Sequence, residues 1–164
     1  MNTAFYNYCI DEYSDKLMRY AYKMSNSEAD SADAVQEAYI RLWKYRNKIS
    51  REKVKSWLFT TVYRILIDFY RKNKRISRPG VLPDVGVEER SDMEDYSDAV
   101  LYALNRLSPA QKSIVILRDV EEYTYDEISK IMDLSLSQVK VYLFRARKNL
   151  RTTLSPINSL KKDQ

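Results

Sequence analysis

The sequence predicts an all-α protein in which two small helical domains are joined by a flexible acidic linker. Glycine and proline mark most strand ends and hairpins, yet the 164 residues contain two glycines and four prolines. Apolar residues recur at helical spacing over most of the chain. The segment 75–97 is the exception, because it holds both glycines, two of the prolines and most of an acidic run. We therefore predict domains at 1–74 and 98–154, a linker at 75–97 and a tail at 155–164.

The first domain begins with two amphipathic helices. One is predicted over residues 3–24, where Leu17, Tyr20 and Ala21 are spaced to face a core, and a polar break follows it. The other is predicted over residues 31–46, and its polar side carries Asp33, Gln36, Glu37 and Arg41. An exposed charged face is the default for an amphipathic helix, so the residues alone favour a solvated surface over a docking surface.

A third helix is predicted over residues 57–71, after a basic connector at 45–56. Leu58, Val62 and Ile65 are spaced to be buried. A different side interleaves rings with arginines, at Tyr63, Arg64, Tyr70 and Arg71. Aromatic rings stack on unpaired bases while guanidinium groups contact phosphates, so this face favours single-stranded nucleic acid. The alternative for Trp57, Tyr63 and Tyr70 is ordinary packing in the core.

The second domain is predicted to begin with a helix over residues 98–106. Ser108 is placed to cap the next helix, and Pro109 to occupy its first position. The core stripe of that helix is predicted at Ile114, Val115, Leu117 and Val120. These two helices would brace the segment that follows.

The segment 123–151 is typical of a helix-turn-helix that binds DNA. Thr124 with Glu127, and Ser135 with Gln138, each fit a capping box, which marks two helix starts eleven residues apart. The second helix has an apolar stripe at Val139, Leu143, Ala146 and Leu150. Its outer side is predicted to face the major groove of duplex DNA, with Ser137, Gln138, Lys140, Val141, Tyr142, Arg145, Arg147 and Lys148 as the candidate contacts.

The charge distribution also indicates a polyanionic partner. The net charge is +5, and the excess is local: residues 51–78 hold nine Lys/Arg against two acids, and residues 138–162 hold seven against none. The chain has no histidine and a single cysteine, Cys9, which we predict to be a buried small residue. We therefore expect no metal site, no disulfide, no cofactor and no catalytic residue. With no signal peptide or membrane-spanning run in the sequence, we expect a cytoplasmic protein that does not insert into a membrane.

The chain resembles the extracytoplasmic-function (ECF) sigma factors, the minimal branch of the bacterial sigma-70 family, with regions 2 and 4 joined by a linker. The motifs that carry the resemblance are SADAVQEAYIRLW, SWLFTTVYRILIDFYRK, LSPAQKSIVILRDVEEYTYDEISKIMDLS and VKVYLFRARKNL, in this order over nearly the whole chain. The resemblance implies a non-enzymatic factor that binds core RNA polymerase, directs it to promoters and assists strand separation. Anti-sigma partners are usual in this family, and promoter DNA would be bound both as duplex and as single strand.

The resemblance also implies roles for particular residues. Asp33, Gln36, Glu37 and Arg41 would dock on the β′ clamp helices of the polymerase, whose β subunit is a second expected contact. The −10 element would be held and melted by Lys53, Lys55, Trp57, Tyr63, Arg64, Tyr70 and Arg71. The −35 element would be recognised by the helix that carries residues 137–148. The acidic linker would thread through the polymerase near its active site.

Two positions depart from the family pattern. Tyr63-Arg64 stands where the family commonly has Asn after Arg, so a contact made by that Asn is not transferred to this chain. A frequent Thr-Val-Lys-Ser-Arg run is replaced by QVKVY at 138–142, so no −35 sequence preference is transferred either.

Two other functions were weighed against this one. A stand-alone helix-turn-helix regulator that binds operator DNA would explain the second domain but leaves the Arg/Tyr face of the first unexplained. A metal-dependent nuclease would need Asp84, Asp92, Glu94 and Asp95, and a flexible linker is a poor scaffold for metal geometry. For the sigma function, we expect the free chain to bind promoter duplex poorly, because its two basic surfaces must be spread apart on the polymerase.

Overall fold

A computed structural model describes residues 1–76 and 94–162, with side chains described for 1–74 and 98–155. All regular elements in these ranges are helical, which confirms the all-α prediction. The helices are α1 Thr3–Ser25, α2 Glu28–Tyr45, α3 Val54–Ile76, α4 Glu94–Asn105, α5 Pro109–Val115, α6 Tyr125–Met132 and α7 Leu136–Lys162. A 3-10 turn, Arg51–Lys53, leads into α3, and a π-helical turn, Ile116–Val120, extends α5. Most of the predicted linker lies outside the described residues, as do Asp84 and Asp92.

The helix starts follow local capping signals. α2 begins earlier than predicted because Ser27 caps it by accepting a hydrogen bond from the Asp30 amide, and the break after α1 is only a short turn with Asn26 at φ 53°. Ser108 caps α5 and Pro109 occupies its first turn, as predicted. The helix α7 continues to Lys162, so the backbone stays helical beyond residue 154, where we had placed the end of the second domain.

The prediction that Val120 is a core residue was wrong. Val120 is 43% exposed, whereas Ile114, Val115 and Leu117 are buried as expected. The cause is the π-helical turn: each extra residue in a turn rotates the following side chains away from the 3.6-residue stripe.

The two halves, α1–α3 and α4–α7, pack against each other and share one hydrophobic core. At its centre the ring of Phe59 lies 5.4 Å from that of Tyr20 and 5.2 Å from that of Tyr123, both edge-to-face. The hydroxyl groups of Tyr20 and Ser113 are hydrogen-bonded at 2.7 Å, and burial raises the pKa of Tyr20. The chain is therefore in a closed form in which α1 and α3 contact the helix-turn-helix half.

Polar contacts between the halves surround this core. Lys112 is buried and donates hydrogen bonds to the carbonyl of Met24 at 2.8 Å and to Asn105 Oδ1 at 2.7 Å. Burial lowers its pKa to about 8. Thr60 Oγ1 donates to the Ile131 carbonyl at 2.7 Å. A carbonyl compensates a buried ammonium less well than a carboxylate does, so Lys112 makes the closed form sensitive to protonation.

Candidate nucleic-acid interface

The helix-turn-helix is fixed by two reciprocal capping boxes, both of which confirm the prediction. The Glu127 amide donates to Thr124 Oγ1 at 3.1 Å, and the Thr124 amide donates to Glu127 Oε2 at 2.9 Å. The Gln138 amide donates to Ser135 Oγ at 3.1 Å, and the Ser135 amide donates to Gln138 Oε1 at 2.9 Å. Because the Gln138 oxygen is used for capping, its NH2 group is the part left to contact a base edge.

The outer face of α7 has most of the predicted arrangement. Val139, Leu143 and Ala146 are buried against the half's core, and opposite them Ser137, Gln138, Lys140, Val141, Arg145 and Lys148 are exposed. Tyr142 differs from this set, because it is half-buried and packs against the core. It therefore lies at the edge of the face.

Arg147 is held by an ion pair that sequence analysis missed. Its Nη2 lies 2.6 Å from Asp119 Oδ1 and its Nε lies 3.2 Å from Asp119 Oδ2, a bidentate contact between α7 and the π-helical turn. The hydrogen bonds to Asp119 raise the pKa of Arg147. This guanidinium thus ties the recognition helix to the rest of the half. The two residues are 28 positions apart, so no local pattern signals the pair.

On the other half, part of the predicted Arg/Tyr face of α3 is exposed. Arg64, Arg71 and Tyr70 face solvent, with Tyr70 at 57% exposure. Tyr63 is half-buried, and burial raises its pKa although the nearby Arg71 acts in the opposite direction. Trp57 is partly buried and packs on the core, as its packing alternative expected. The face consequently presents one mostly exposed ring, Tyr70, whose centre lies 5.9 Å from Lys74 Nζ, and two exposed arginines on the same helix.

The predicted lysines near the start of α3 differ in their surroundings. Lys53 is exposed in the 3-10 turn. Lys55 Nζ lies 3.0 Å from Glu127 Oε1 and 4.1 Å from the ring centre of Tyr123, both on the other half. Burial raises the pKa of Glu127, but its hydrogen bonds with the Thr124 amide and Lys55 outweigh that effect and lower it overall. In the closed form Lys55 is therefore engaged by the helix-turn-helix.

The four predicted polymerase contacts lie in one groove between α2 and α3. Its α2 wall carries Asp33, Gln36, Glu37, Ile40 and Arg41, and its α3 wall carries Ile65, Asp68, Phe69 and Lys72. Arg41 is paired with Glu37 at 2.8 Å along the helix. The α3 wall was not anticipated, because which faces of two helices oppose each other depends on their packing. The groove is a polar surface with an apolar floor, which suits a helical partner.

No group of three or more His, Cys, Asp or Glu side chains in the described part of the chain is placed to hold a metal ion. Within the same residues, no helix has the length and apolar character required to span a bilayer.

Comparisons with known proteins identify both halves. Family models match the chain as Sigma-70 region 2 over residues 9–76 and Sigma-70, region 4 over residues 97–150. The RNA polymerase sigma factor SigV of Bacillus subtilis is 32% identical over 151 residues, which cover 90% of this chain and 89% of SigV. The ECF RNA polymerase sigma factor SigE of Mycolicibacterium smegmatis is 28% identical over 92% of this chain, which spans 62% of the length of that relative.

A solved structure has the same fold. The sigma factor RpoE of Bartonella quintana, crystallised in complex with the anti-sigma factor NepR, matches with a TM-score of 0.71 at 24% identity, over 86% of this chain and 91% of RpoE. Because the match extends over both halves, the two proteins share the order and the packing of their helices.

Proposed function

The chain belongs to the ECF branch of the sigma-70 family, and we propose that it binds core bacterial RNA polymerase, directs it to promoters and helps to melt them through two DNA surfaces on different halves. One observation supports this most directly: the chain combines a cationic helix-turn-helix with a separate Arg/Tyr face. An operator-binding regulator requires only the first surface, and the region 2 match over residues 9–76 gives that alternative no role for the first half. The stand-alone regulator is therefore not favoured.

The helix-turn-helix half recognises the −35 element as duplex. Lys140, Arg145 and Lys148 are exposed along α7 and can contact phosphates or the guanine edge in the major groove. Gln138 stands at the start of the helix, where recognition helices meet base edges. Arg147 serves as a brace through Asp119, so its contribution to DNA binding is indirect.

The α3 face holds the non-template strand of the −10 element once it is unpaired. Unstacking a base costs a few kcal/mol, and the protein must replace the lost stacking. Tyr70 is accessible for stacking, while the exposed Arg64 and Arg71 of the same helix can contact phosphates. Lys53 extends the cationic surface at the other end of the helix.

The groove between α2 and α3 is the docking site for core polymerase, through the β′ clamp helices. It offers both charge signs, with Asp33 and Asp68 against Arg41 and Lys72, around the exposed side chain of Ile40. Mixed charge around an apolar centre gives specificity for one partner and one orientation.

The closed form restrains DNA binding by the free chain. Glu127 Oε1 lies 3.0 Å from Lys55 Nζ and pairs with it, as a phosphate of the opened strand would. The packing of Phe59 on Tyr123 holds both DNA surfaces on one compact body. A promoter requires them to be spread along the DNA, so binding to core polymerase must separate the halves. The free energy of the polymerase contacts drives this opening.

An anti-sigma protein can act on the same equilibrium. The Bartonella quintana sigma factor of similar fold was crystallised with one, and a protein that binds both halves of this chain at once would favour the closed form. In this account the chain contributes no catalytic group, since the polymerase performs nucleotide addition, and it acts in the cytoplasm where promoter DNA lies.

Co-purification and transcription with core polymerase test the proposal. We expect the chain to be retained by bacterial core enzyme and to produce discrete run-off transcripts from a subset of genomic fragments. Core enzyme alone should produce none of these transcripts. A chain that is neither retained nor able to confer promoter-specific initiation would contradict the proposed function.

A further inference from the structure

We propose that the first two turns of α1 hold an additional unpaired nucleotide of the promoter, next to residues 46–53, the part of the basic connector that lies between α2 and α3. The subsite is an aromatic ledge formed by Phe5, Tyr8 and Arg51. The inference rests on the proposed function, because the ledge would extend the surface that holds the opened strand.

The ledge has the parts of a base-stacking platform. The rings of Phe5 and Tyr8 are stacked, with centres 5.9 Å apart and an interplanar angle of 26°. The guanidinium carbon of Arg51 lies 4.5 Å from the ring centre of Phe5. Tyr8 is 53% exposed, so one ring is accessible while its partner is held in place. An isolated exposed tyrosine needs no explanation, but a stacked pair next to an arginine resembles sites that bind bases.

Both ends of the connector are fastened to these turns of α1. Arg46 lies 4.1 Å from the ring centre of Trp43 and donates a hydrogen bond to the Trp43 carbonyl at 2.7 Å. The ring of Trp43 in turn contacts that of Tyr6 edge-to-face at 5.0 Å. With Arg51 on Phe5 at the other end, the connector and the start of α1 form one continuous surface. Arg51, on Phe5, and Phe5, on Tyr8, thus link the connector to the exposed ring of Tyr8.

Charge limits the ligand to a short stretch of single strand. Residues 44–55 carry six Lys/Arg against one acid, which suits a phosphate backbone. Further along α1 stand Asp11 and Asp15, which would repel that backbone, and Glu12, which is paired with Lys16 at 3.0 Å. Asp11 is about 4.5 Å beyond Tyr8 along the helix axis, so the favourable surface ends at Tyr8 and holds one nucleotide only.

The spacing of the rings indicates how the base binds. A base inserted between two rings needs about 3.5 Å on each side, or about 7 Å in total. The 5.9 Å between Phe5 and Tyr8 is too narrow, so the base stacks on the outer face of Tyr8. Stacking on that face requires the ring and not the hydroxyl group. Tyr8→Phe should consequently preserve the stacking contact, whereas Tyr8→Ala should remove that contact.

The test uses the full chain bound to core polymerase and a promoter fork whose non-template strand is unpaired from the −10 element onward. One base stacked on an exposed ring should strengthen binding by about fivefold, equivalent to about 1 kcal/mol. We expect Tyr8→Ala to weaken fork binding by about fivefold and Tyr8→Phe by less than twofold. Tyr22→Ala is the matched control, since Tyr22 is a 45% exposed tyrosine of the same helix, about 21 Å from Tyr8 along its axis.

Photocross-linking locates the contact independently. With 5-iodouracil placed at successive positions of the unpaired strand, one position adjoining the −10 element should cross-link to Tyr8. Three results would overturn the ledge. They are fork binding by Tyr8→Ala as tight as that of wild type, a loss of fork binding in Tyr22→Ala equal to that in Tyr8→Ala, and the absence of any cross-link to Tyr8. None of these results would affect initiation by the wild-type chain with core polymerase, so the proposed function would stand. Failure of wild-type initiation would instead refute the proposed function.

Discussion

Raising the pH from 7 to 9.5 should shift the free chain toward its closed form, and the titrating group is Lys112. Its ammonium is buried between the halves, and its hydrogen-bond acceptors are the carbonyl of Met24 and the side chain of Asn105. Burial lowers its pKa to about 8, against an ordinary value of 10.5. Opening removes the Met24 carbonyl and admits water to Lys112, so we expect its pKa to return toward the ordinary value.

The direction of the shift with pH depends on which form loses the Lys112 proton first. Below pH 8 Lys112 is charged in both forms, and the closed form bears the full cost of burying the charge. Between pH 8 and 10.5 the closed form releases the proton while the open form keeps it, so each pH unit favours closure by about 1.4 kcal/mol. From pH 7 to 9.5 the closed-to-open ratio should rise about 25-fold, or about 2 kcal/mol. The prediction applies up to pH 9.5. Burial raises the pKa values of Tyr20 and Tyr123, so at higher pH both would ionise more easily in the open form and favour opening.

Single-molecule energy transfer measures this ratio directly. One dye is placed on each half, at Asp11→Cys and Asn149→Cys, both at exposed positions, and the buried Cys9 should escape labelling. The ratio of closed to open molecules should rise about 25-fold between pH 7 and 9.5. Lys112→Met keeps an unbranched side chain without a titrating group, so its ratio should stay constant. A wild-type ratio that is flat or falls with pH, or a Met variant with the wild-type slope, would refute the reasoning.

Four further substitutions test the two DNA surfaces and the cap. Arg71→Ala should reduce initiation from a fully paired promoter more than from a pre-melted one, and equal losses on both templates would count against its role in holding the strand. Arg145→Ala should weaken binding of the polymerase complex to a −35 duplex by about 1–3 kcal/mol if it contacts a base, or lower the salt slope by about 1 if it contacts a phosphate. Arg147→Ala should weaken this binding less than Arg145→Ala does, because the Arg147 guanidinium is bonded to Asp119. Equal losses of binding by the two variants in a salt series would contradict that distinction. Thr124→Ala should lower the free energy of unfolding by about 1 kcal/mol in urea melts, and an unchanged midpoint would show that the capping box does not stabilise α6.

The features that sequence analysis predicted correctly depend on neighbouring residues. Both capping boxes of the helix-turn-helix, and the Ser108 cap of α5, follow from side chains within three positions of a helix start. The buried stripe of α7 follows from periodicity, since Val139, Leu143 and Ala146 recur at helical spacing. Local signals of this kind remain valid whatever the rest of the chain does.

The features that were missed depend on contacts distant in sequence or on irregular turns. The π-helical turn exposed Val120, and no single residue type marks such a turn. Lys55 pairs with Glu127 across 72 positions, and Arg147 pairs with Asp119 across 28. The family resemblance assigns Lys55 to the −10 element, and its position on the recognition helix assigns Arg147 to the −35 element. The docking of the two halves, which decides whether Lys55 is accessible, is a property of packing alone.

The most direct test of the account measures the two halves during transcription. With dyes at Asp11→Cys and Asn149→Cys, the free chain should give the high energy transfer of the closed form. Adding core polymerase should convert it to low transfer in complexes that also produce promoter-specific transcripts. Persistence of the closed-form signal in transcribing complexes would contradict the claim that the halves separate so that one recognises duplex while the other holds the opened strand.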